Sequence, residues 1–399
     1  MTVLSAPRLQ IAGELTGPGA VVIEGGRIAA VLDHVPPASQ DHLALGYGVL
    51  GPGLVDLQVN GFAGHDLVEA DAAGWDEVRR ALPVTGVTSF LPTYVTAPLT
   101  ALLPAADRAA AAGAREVPGG ARVVGVHLEG PFLSPRWGGA HGAEGRRDPD
   151  PEAVARVITQ GNVTMITMAP ELTGATAAIA RLREAGVLVS LGHSDANAEC
   201  VGAAVDAGAR MVTHVFNAMR PLHHRDPALA GVALADERLA VGLICDGHHV
   251  AELMCRLVFQ ATPDRVVLVT DATAAAAMPA GRYRLGGHDV VADTAGHPPR
   301  RADGTIAGSA LTLDQAVRNA VSYGLDPGAA LQAASGTPAR LLGRDDIGQL
   351  RAGGRADLVW WSDDLRPQRI WLDGQQQPDA GTRIAAAAGP EAGAGAGAS

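Results

Sequence analysis

The chain has 399 residues, of which 47% are hydrophobic and only 4% aromatic, and its formal net charge is −11. That length holds one large barrel plus a small accessory unit, with a core that Val, Leu, Ile and Ala must fill. The acidic balance excludes a nonspecific nucleic-acid binder, because no basic field recruits phosphates, and no run reaches the roughly 18 apolar residues needed to span a bilayer.

In chain order, residues 1–50 read as β structure. Ala20-Val21-Val22-Ile23 and Ile28-Ala29-Ala30-Val31 flank a Gly25-Gly26 turn, the pattern of a hairpin. Similar texture returns at 344–378, where Trp360-Trp361 and Ile370-Trp371 sit in short apolar runs. We therefore expect one small β-sandwich-like domain built from both termini. Between them, 51–343 carries eight candidate strands ending near Val59, Leu91, Leu128, Met168, Leu191, His214, Cys245 and Thr270. Helical stretches at 76–82, 151–159, 176–185 and 198–207 separate several of them, with Asp195 and Asn197 as caps for the last. Strands alternating with helices predict an α/β fold, a (β/α)8 TIM-type barrel. Gly286-Gly287 and Asp303-Gly304 mark an inserted hairpin after the eighth strand, followed by a helix over 311–322. The tail 379–399, almost all Ala and Gly beyond 385, reads as disordered. The start lacks the basic-then-apolar pattern of a secretory signal, and Cys200, Cys245 and Cys255 suit packing in a reducing compartment; a cytoplasmic location is expected.

The chemistry is written at the ends of the apolar runs. Val123-Val124-Gly125-Val126 leads into His127-Leu128-Glu129, Val187-Leu188-Val189-Ser190-Leu191 into Gly192-His193, Met211-Val212-Thr213 into His214, and Val266-Val267-Leu268-Val269-Thr270 into Asp271. Parallel barrels keep their reactive groups at these carboxyl ends. One histidine there is more often a polar cap. Two histidines and a glutamate at equivalent ends point to a metal, since such groups are costly to bury unpaired. Glu129, His193 and His214 would supply a carboxylate oxygen and two imidazole nitrogens with a position left for water, whose pKa a cation lowers to about 7. Asp271 is then placed to take a proton from that water, and His127, on the same side of its strand as Glu129, to orient the site. Cap on the following turn is the plainer role for Asp271.

The ordered set Pro52-Gly53-Leu54-Val55-Asp56-Leu57-Gln58-Val59-Asn60-Gly61, His127-Leu128-Glu129-Gly130-Pro131-Phe132, Gly139-Ala140-His141, Leu191-Gly192-His193-Ser194, Thr213-His214-Val215-Phe216-Asn217-Ala218-Met219, Asp246-Gly247-His248-His249, Val269-Thr270-Asp271-Ala272-Thr273 and Ala307-Gly308-Ser309 resembles the N-acetylglucosamine-6-phosphate deacetylases of the amidohydrolase superfamily. The likeness covers roughly residues 20–375. It implies deacetylation of N-acetyl-D-glucosamine 6-phosphate, with Glu129, His193 and His214 as metal ligands and Asp271 as general base and acid. His141 resembles the residue that meets the acetamide carbonyl, and His249 the sugar contact. Asn217, Ala218 and Arg225 resemble the phosphate site, with Arg225 supplied by the partner in a homodimer. Ile306, Ala307 and Gly308 correspond to a loop that closes on the sugar.

The departures shape what to expect. Many amidohydrolases carry His-x-His at the end of the first barrel strand to hold a second metal, where this chain has Gln58-Val59-Asn60, as in one branch of the deacetylases. Amides are poor ligands for a transition metal, so one divalent cation per chain is expected: zinc first, with iron, manganese or cobalt acceptable to the same donors. Gly142-Ala143-Glu144 replaces the Asn-Pro that many relatives place after His141. His223 and His224 are either phosphate neighbours or exposed polar residues. The alternative function is an amidohydrolase acting on a cyclic amide, N-acyl amino acid or dipeptide, for which a two-metal site is the usual requirement.

Overall fold

The β-branched runs become eight short parallel strands, and these fix the site. They are β1 (Leu54–Val59), β2 (Val87–Val95), β3 (Val126–Glu129), β4 (Val163–Met168), β5 (Leu188–Leu191), β6 (Met211–Val212), β7 (Ala240–Leu243) and β8 (Val266–Leu268). Each pairs with its neighbour in sequence order, and a parallel bridge between Val59 and Ala272 brings the last strand back to the first. The molecule is an α/β barrel with all its βα connections opening on one end. The computed structural model describes residues 1–160 and 162–378, so the expectation for the Ala/Gly tail at 379–399 falls outside the described residues.

The helices lie outside this ring: α1 (Ala72–Ala81), α2 (Leu99–Ala114), α3 (Pro151–Thr159), α4 (Ala175–Glu184), α5 (Ala198–Ala207), α6 (Ala228–Ala235), α7 (Glu252–Ala261) and α8 (Leu313–Ser322). Capping decides where they start. α1 begins four residues before the expected 76 because the Asp71 carboxylate accepts the Gly74 N–H. Asp150, with Pro151 behind it, starts α3, and Asn197 alone caps α5 by accepting from Cys200 N–H at 2.9 Å. Asp195 does not cap; its carboxylate is engaged elsewhere, as described below. α2 has no counterpart among the helices expected from the sequence, since Pro104 interrupts its pattern, yet Leu99, Leu102, Leu103 and Ala106 bury one face. β2 runs to Val95 rather than Leu91: Pro92 is tolerated at a register irregularity against β1, where its missing N–H removes no regular ladder bond.

Two further sheets flank the barrel. One has four strands in the order Arg27–Leu32, Gly19–Glu24, Thr2–Ala6 and His42–Ala44. In its hairpin Glu24 pairs with Arg27 across Gly25 and Gly26, both at positive φ, the geometry a two-residue loop demands. The other has six strands and joins Val49–Pro52 to Leu358–Trp361 and Pro367–Leu372. Leu4, Val21, Ile23, Leu50, Leu358, Trp360 and Trp371 form their shared core. After β8 a hairpin of Gly281–Leu285 and His288–Ala292 turns through Gly286 and Gly287. Among the described residues no helix is long and apolar enough to cross a membrane.

Candidate active site

Four strand ends deliver the reactive side chains, and three do so through strained backbone. Glu129 is the last residue of β3, while His193, His214 and Asp271 follow β5, β6 and β8 by two or three residues. Those three sit at φ +49°, +31° and +52°, in the left-handed region that L-residues rarely occupy. Each chain turns sharply as it leaves its strand, and the turn swings the side chain over the barrel mouth. Strain of this kind persists only where the surroundings over-determine it.

The ligand atoms of Glu129, His193 and His214 lie within 4.8 Å of one another, and all three residues are buried. Glu129 Oε1 is 2.9 Å from His214 Nε2 and 3.3 Å from His193 Nε2, and the two Nε2 atoms are 3.2 Å apart. His193 donates its Nδ1–H to the Trp137 carbonyl at 3.0 Å, which leaves the Nε2 lone pair facing inward. Among the described residues His214 Nδ1 has no hydrogen-bond partner, and it is buried. Burial alone would raise the Glu129 carboxyl, but its contacts with the His141, His193 and His214 rings hold it well below the usual carboxylate range. Burial pushes His193 down to about 4, whereas the Glu129 carboxylate outweighs burial at His214 and raises it. A carboxylate and inward-facing imidazole nitrogens at this spacing fit a divalent cation.

Asp271 is buried beside this cluster but held by amides. Asn60 Nδ2 donates to its Oδ1 at 2.7 Å, and Gln58 Nε2 to the same oxygen at 3.1 Å and to Glu129 Oε1 at 3.0 Å. Burial first, then the nearby charge of Glu129, pushes Asp271 up to about 6. A carboxyl so poised can both accept and return a proton near neutrality. His141 brings its Nε2 within 3.4 Å of Glu129 Oε2, and its Nδ1 accepts the Thr96 backbone N–H at 3.0 Å. The neutral ring therefore keeps its proton on Nε2, as a donor toward the cluster.

Residues 49–377 match the Amidohydrolase family. The chain belongs to the amidohydrolase family. It is 41% identical over 331 residues to an N-acetylgalactosamine-6-phosphate deacetylase of Escherichia coli O157:H7, a match spanning 82% of this chain and 87% of the relative. It is 36% identical over 365 residues to an N-acetylglucosamine-6-phosphate deacetylase of Vibrio furnissii, spanning 90% and 91%. The solved N-acetyl-D-glucosamine-6-phosphate deacetylase of Mycobacterium smegmatis superposes with a TM-score of 0.87 at 38% identity, over 95% of this chain and all of that one. A Xaa-Pro dipeptidase at 15% identity, TM-score 0.62, shares the fold alone.

Around the amidohydrolase cluster, the remaining candidates fall at different distances from the chemistry. His249 is nearly buried, its Nδ1 2.6 Å from Asp246 Oδ2, which also accepts through Oδ1 the backbone N–H groups of His248 and His249. Asn217 Nδ2 turns back to the His214 and Val215 carbonyls, and Ala218 stands at φ +49°. The Ile306–Ala307–Gly308 segment lies against Asp271: Ser309 N–H bonds the Asp271 carbonyl, and a Cβ on Gly308 would meet that same oxygen at 2.9 Å. Arg225 is exposed, with His224 and His223 as its contacts, so this single chain does not bring it to the cluster. His127 bonds the Thr93 and Thr167 hydroxyls instead of Glu129, and burial keeps it neutral by lowering it to about 4. Three contributors escaped the sequence reading: Gln58 and Asn60 as donors to Asp271, and Thr96, which bonds His141 and, through Oγ1, the Glu129 carbonyl. Only the Gln-x-Asn spacing at the end of β1 signalled the first two.

Proposed function

We propose that this chain hydrolyses N-acetyl-D-glucosamine 6-phosphate to D-glucosamine 6-phosphate and acetate in the cytoplasm, as a step of amino-sugar breakdown. The observation that carries this reading is the convergence of Glu129, His193 and His214 beside a buried, amide-held Asp271. Relatives that span most of the chain are named as hexosamine-phosphate deacetylases. Glu129, His193 and His214 would hold one divalent cation, zinc ahead of iron, manganese or cobalt. When bound, such a cation polarises an amide carbonyl and makes water more acidic.

The chain's own residues do the rest. Asp271 takes the proton of the attacking water and returns it to the nitrogen, because an amine leaves poorly unless protonated. His141 donates its Nε2–H to the oxygen that becomes negative, a contribution of about 10²–10³-fold for one such donor. His249 contacts the sugar, and Ile306, Ala307 and Gly308 close over it. The Asn217 and Ala218 backbone and Arg225 of a second copy hold the phosphate, so the working form is a homodimer. Remote phosphate binding then places the acetamide. Residues 1–50 and 344–378 act as one small β domain on a 51–343 barrel.

Two features bear on rival substrates. Gln58 and Asn60 aim donors at Asp271 and Glu129, which suits a one-cation deacetylase better than a two-cation cyclic amidase or dipeptidase. The 41% identity to an N-acetylgalactosamine-6-phosphate deacetylase favours a second reading in which the 4-epimer is the preferred sugar. Acetate release from both phosphorylated epimers decides between them; no release from either contradicts the proposal.

A further inference from the structure

We infer that Asp195 is a positioning residue for the cation site: its carboxylate latches the Trp137 loop so that the Trp137 carbonyl meets His193. The inference rests on the cation reading of Glu129, His193 and His214. Trp137 donates its indole N–H to Asp195 Oδ1 at 2.8 Å, and the same residue's carbonyl accepts the His193 Nδ1–H at 3.0 Å. One side chain thus ties a loop down at its ring, and that loop's backbone fixes the tautomer and tilt of a metal-ligating imidazole. Two glycines follow Trp137 and draw the chain across the ring: a Cβ at Gly139 would lie 3.4 Å from His193 Cε1.

Asp195 is itself anchored from behind. Its backbone N–H donates to Glu171 Oε1 at 2.6 Å, and Ser194 Oγ donates to Glu171 Oε2 at 2.8 Å. Glu171 therefore holds the turn that follows His193, and Asp195 projects from that turn to the loop on the other side of the ring. The carboxylate is the acceptor of a charge-assisted bond, stronger than a neutral pair. Arg136 also reaches Asp195 Oδ2 at 2.6 Å, but its side chain is 75% exposed and screened by water, so it contributes little to the latch. Partners that orient a ligating histidine typically change metal affinity by about 10–100-fold when removed.

The test is zinc affinity by chelator competition on the full-length protein, with thermal melts and acetate release alongside. Asp195→Ala and Trp137→Phe should each weaken zinc by about 10–100-fold, and the double variant should be no weaker than the poorer single, because both break one bond. Asp195→Asn should restore most of the affinity, since the amide oxygen still accepts the indole N–H, and Arg136→Ala should match wild type. With zinc saturating, KM for the phosphorylated sugar should stay put in Trp137→Phe. Should Asp195→Ala fail to fold, Trp137→Phe carries the same test. Wild-type affinity in Trp137→Phe, or losses in Asp195→Asn and Arg136→Ala as large as in Asp195→Ala, would overturn the latch. A wild-type protein that takes up no zinc overturns the cation reading itself, and the latch with it.

Discussion

The two sides of the barrel mouth solve opposite electrostatic problems with different residues. On the side of β3, β5 and β6, the Nε2 atoms of His193 and His214 face Glu129, with the His193 proton turned outward to the Trp137 carbonyl, and the carboxylate is held ionised. On the side of β1 and β8, amide N–H groups surround Asp271, and burial raises it to about 6. A carboxylate with inward-facing nitrogens fits a cation; a buried carboxyl held by donors fits a proton carrier. Two carboxylates in one pocket are thereby driven toward different protonation behaviour, which is how environment assigns distinct roles to like groups. The amides of Gln58 and Asn60 are poor ligands for a second cation, which suits the proton-transfer role proposed for Asp271.

The contrast can be broken first at Asp271. Replacing it by Asn should lower turnover by about 10²–10⁴-fold with metal content unchanged, read by acetate release and elemental analysis on one preparation; turnover near wild type would remove it as the proton carrier. On the cation side, His193→Ala should cost metal first and activity as a consequence, with excess zinc restoring part of the rate. A variant that keeps its full zinc affinity would take His193 out of the ligand set. Arg225→Ala, outside both halves, should raise KM for the 6-phosphate sugar by about 10–100-fold and leave use of the unphosphorylated sugar alone. Equal effects on both would cancel the phosphate assignment.

The smallest expected effect sharpens the acid side. Asp56 lies beneath Asp271, accepting the Thr270 hydroxyl at 2.6 Å, and burial pushes it up to about 7 from an ordinary 3.8. The sign follows from linkage: a raised group stabilises fully below 3.8, and that contribution is lost as pH climbs through about 7. Asp56→Asn, which cannot ionise, should therefore gain stability relative to wild type between pH 5 and pH 8, by a few degrees in thermal melts. A constant difference across that range would mean Asp56 is ionised in the fold throughout.

Much of this was legible because burial on both faces forces β-branched runs, and a run that stops on Glu, His or Asp marks a strand end. The barrel, the order of its strands and the grouping of Glu129, His193 and His214 all follow from that. Capping ambiguity hid the rest. Asp195 and Asn197 are equally good caps by composition, yet only Asn197 caps α5, because Asp195 finds the Trp137 indole across space. Backbone strain was equally silent: nothing in Gly192-His193-Ser194 or Thr270-Asp271-Ala272 announces a left-handed φ at a non-glycine residue. Gln58 and Asn60 could be read as unsuited to bind metal, but not as donors to Asp271, since that contact joins residues more than 200 positions apart.

The most direct test of the account is a zinc titration of chelator-stripped protein, reading acetate released from N-acetyl-D-glucosamine 6-phosphate at each addition. The account predicts no release at the start and a linear rise to a plateau at one zinc per chain. Turnover by the stripped protein, or a plateau reached only at two, would contradict it.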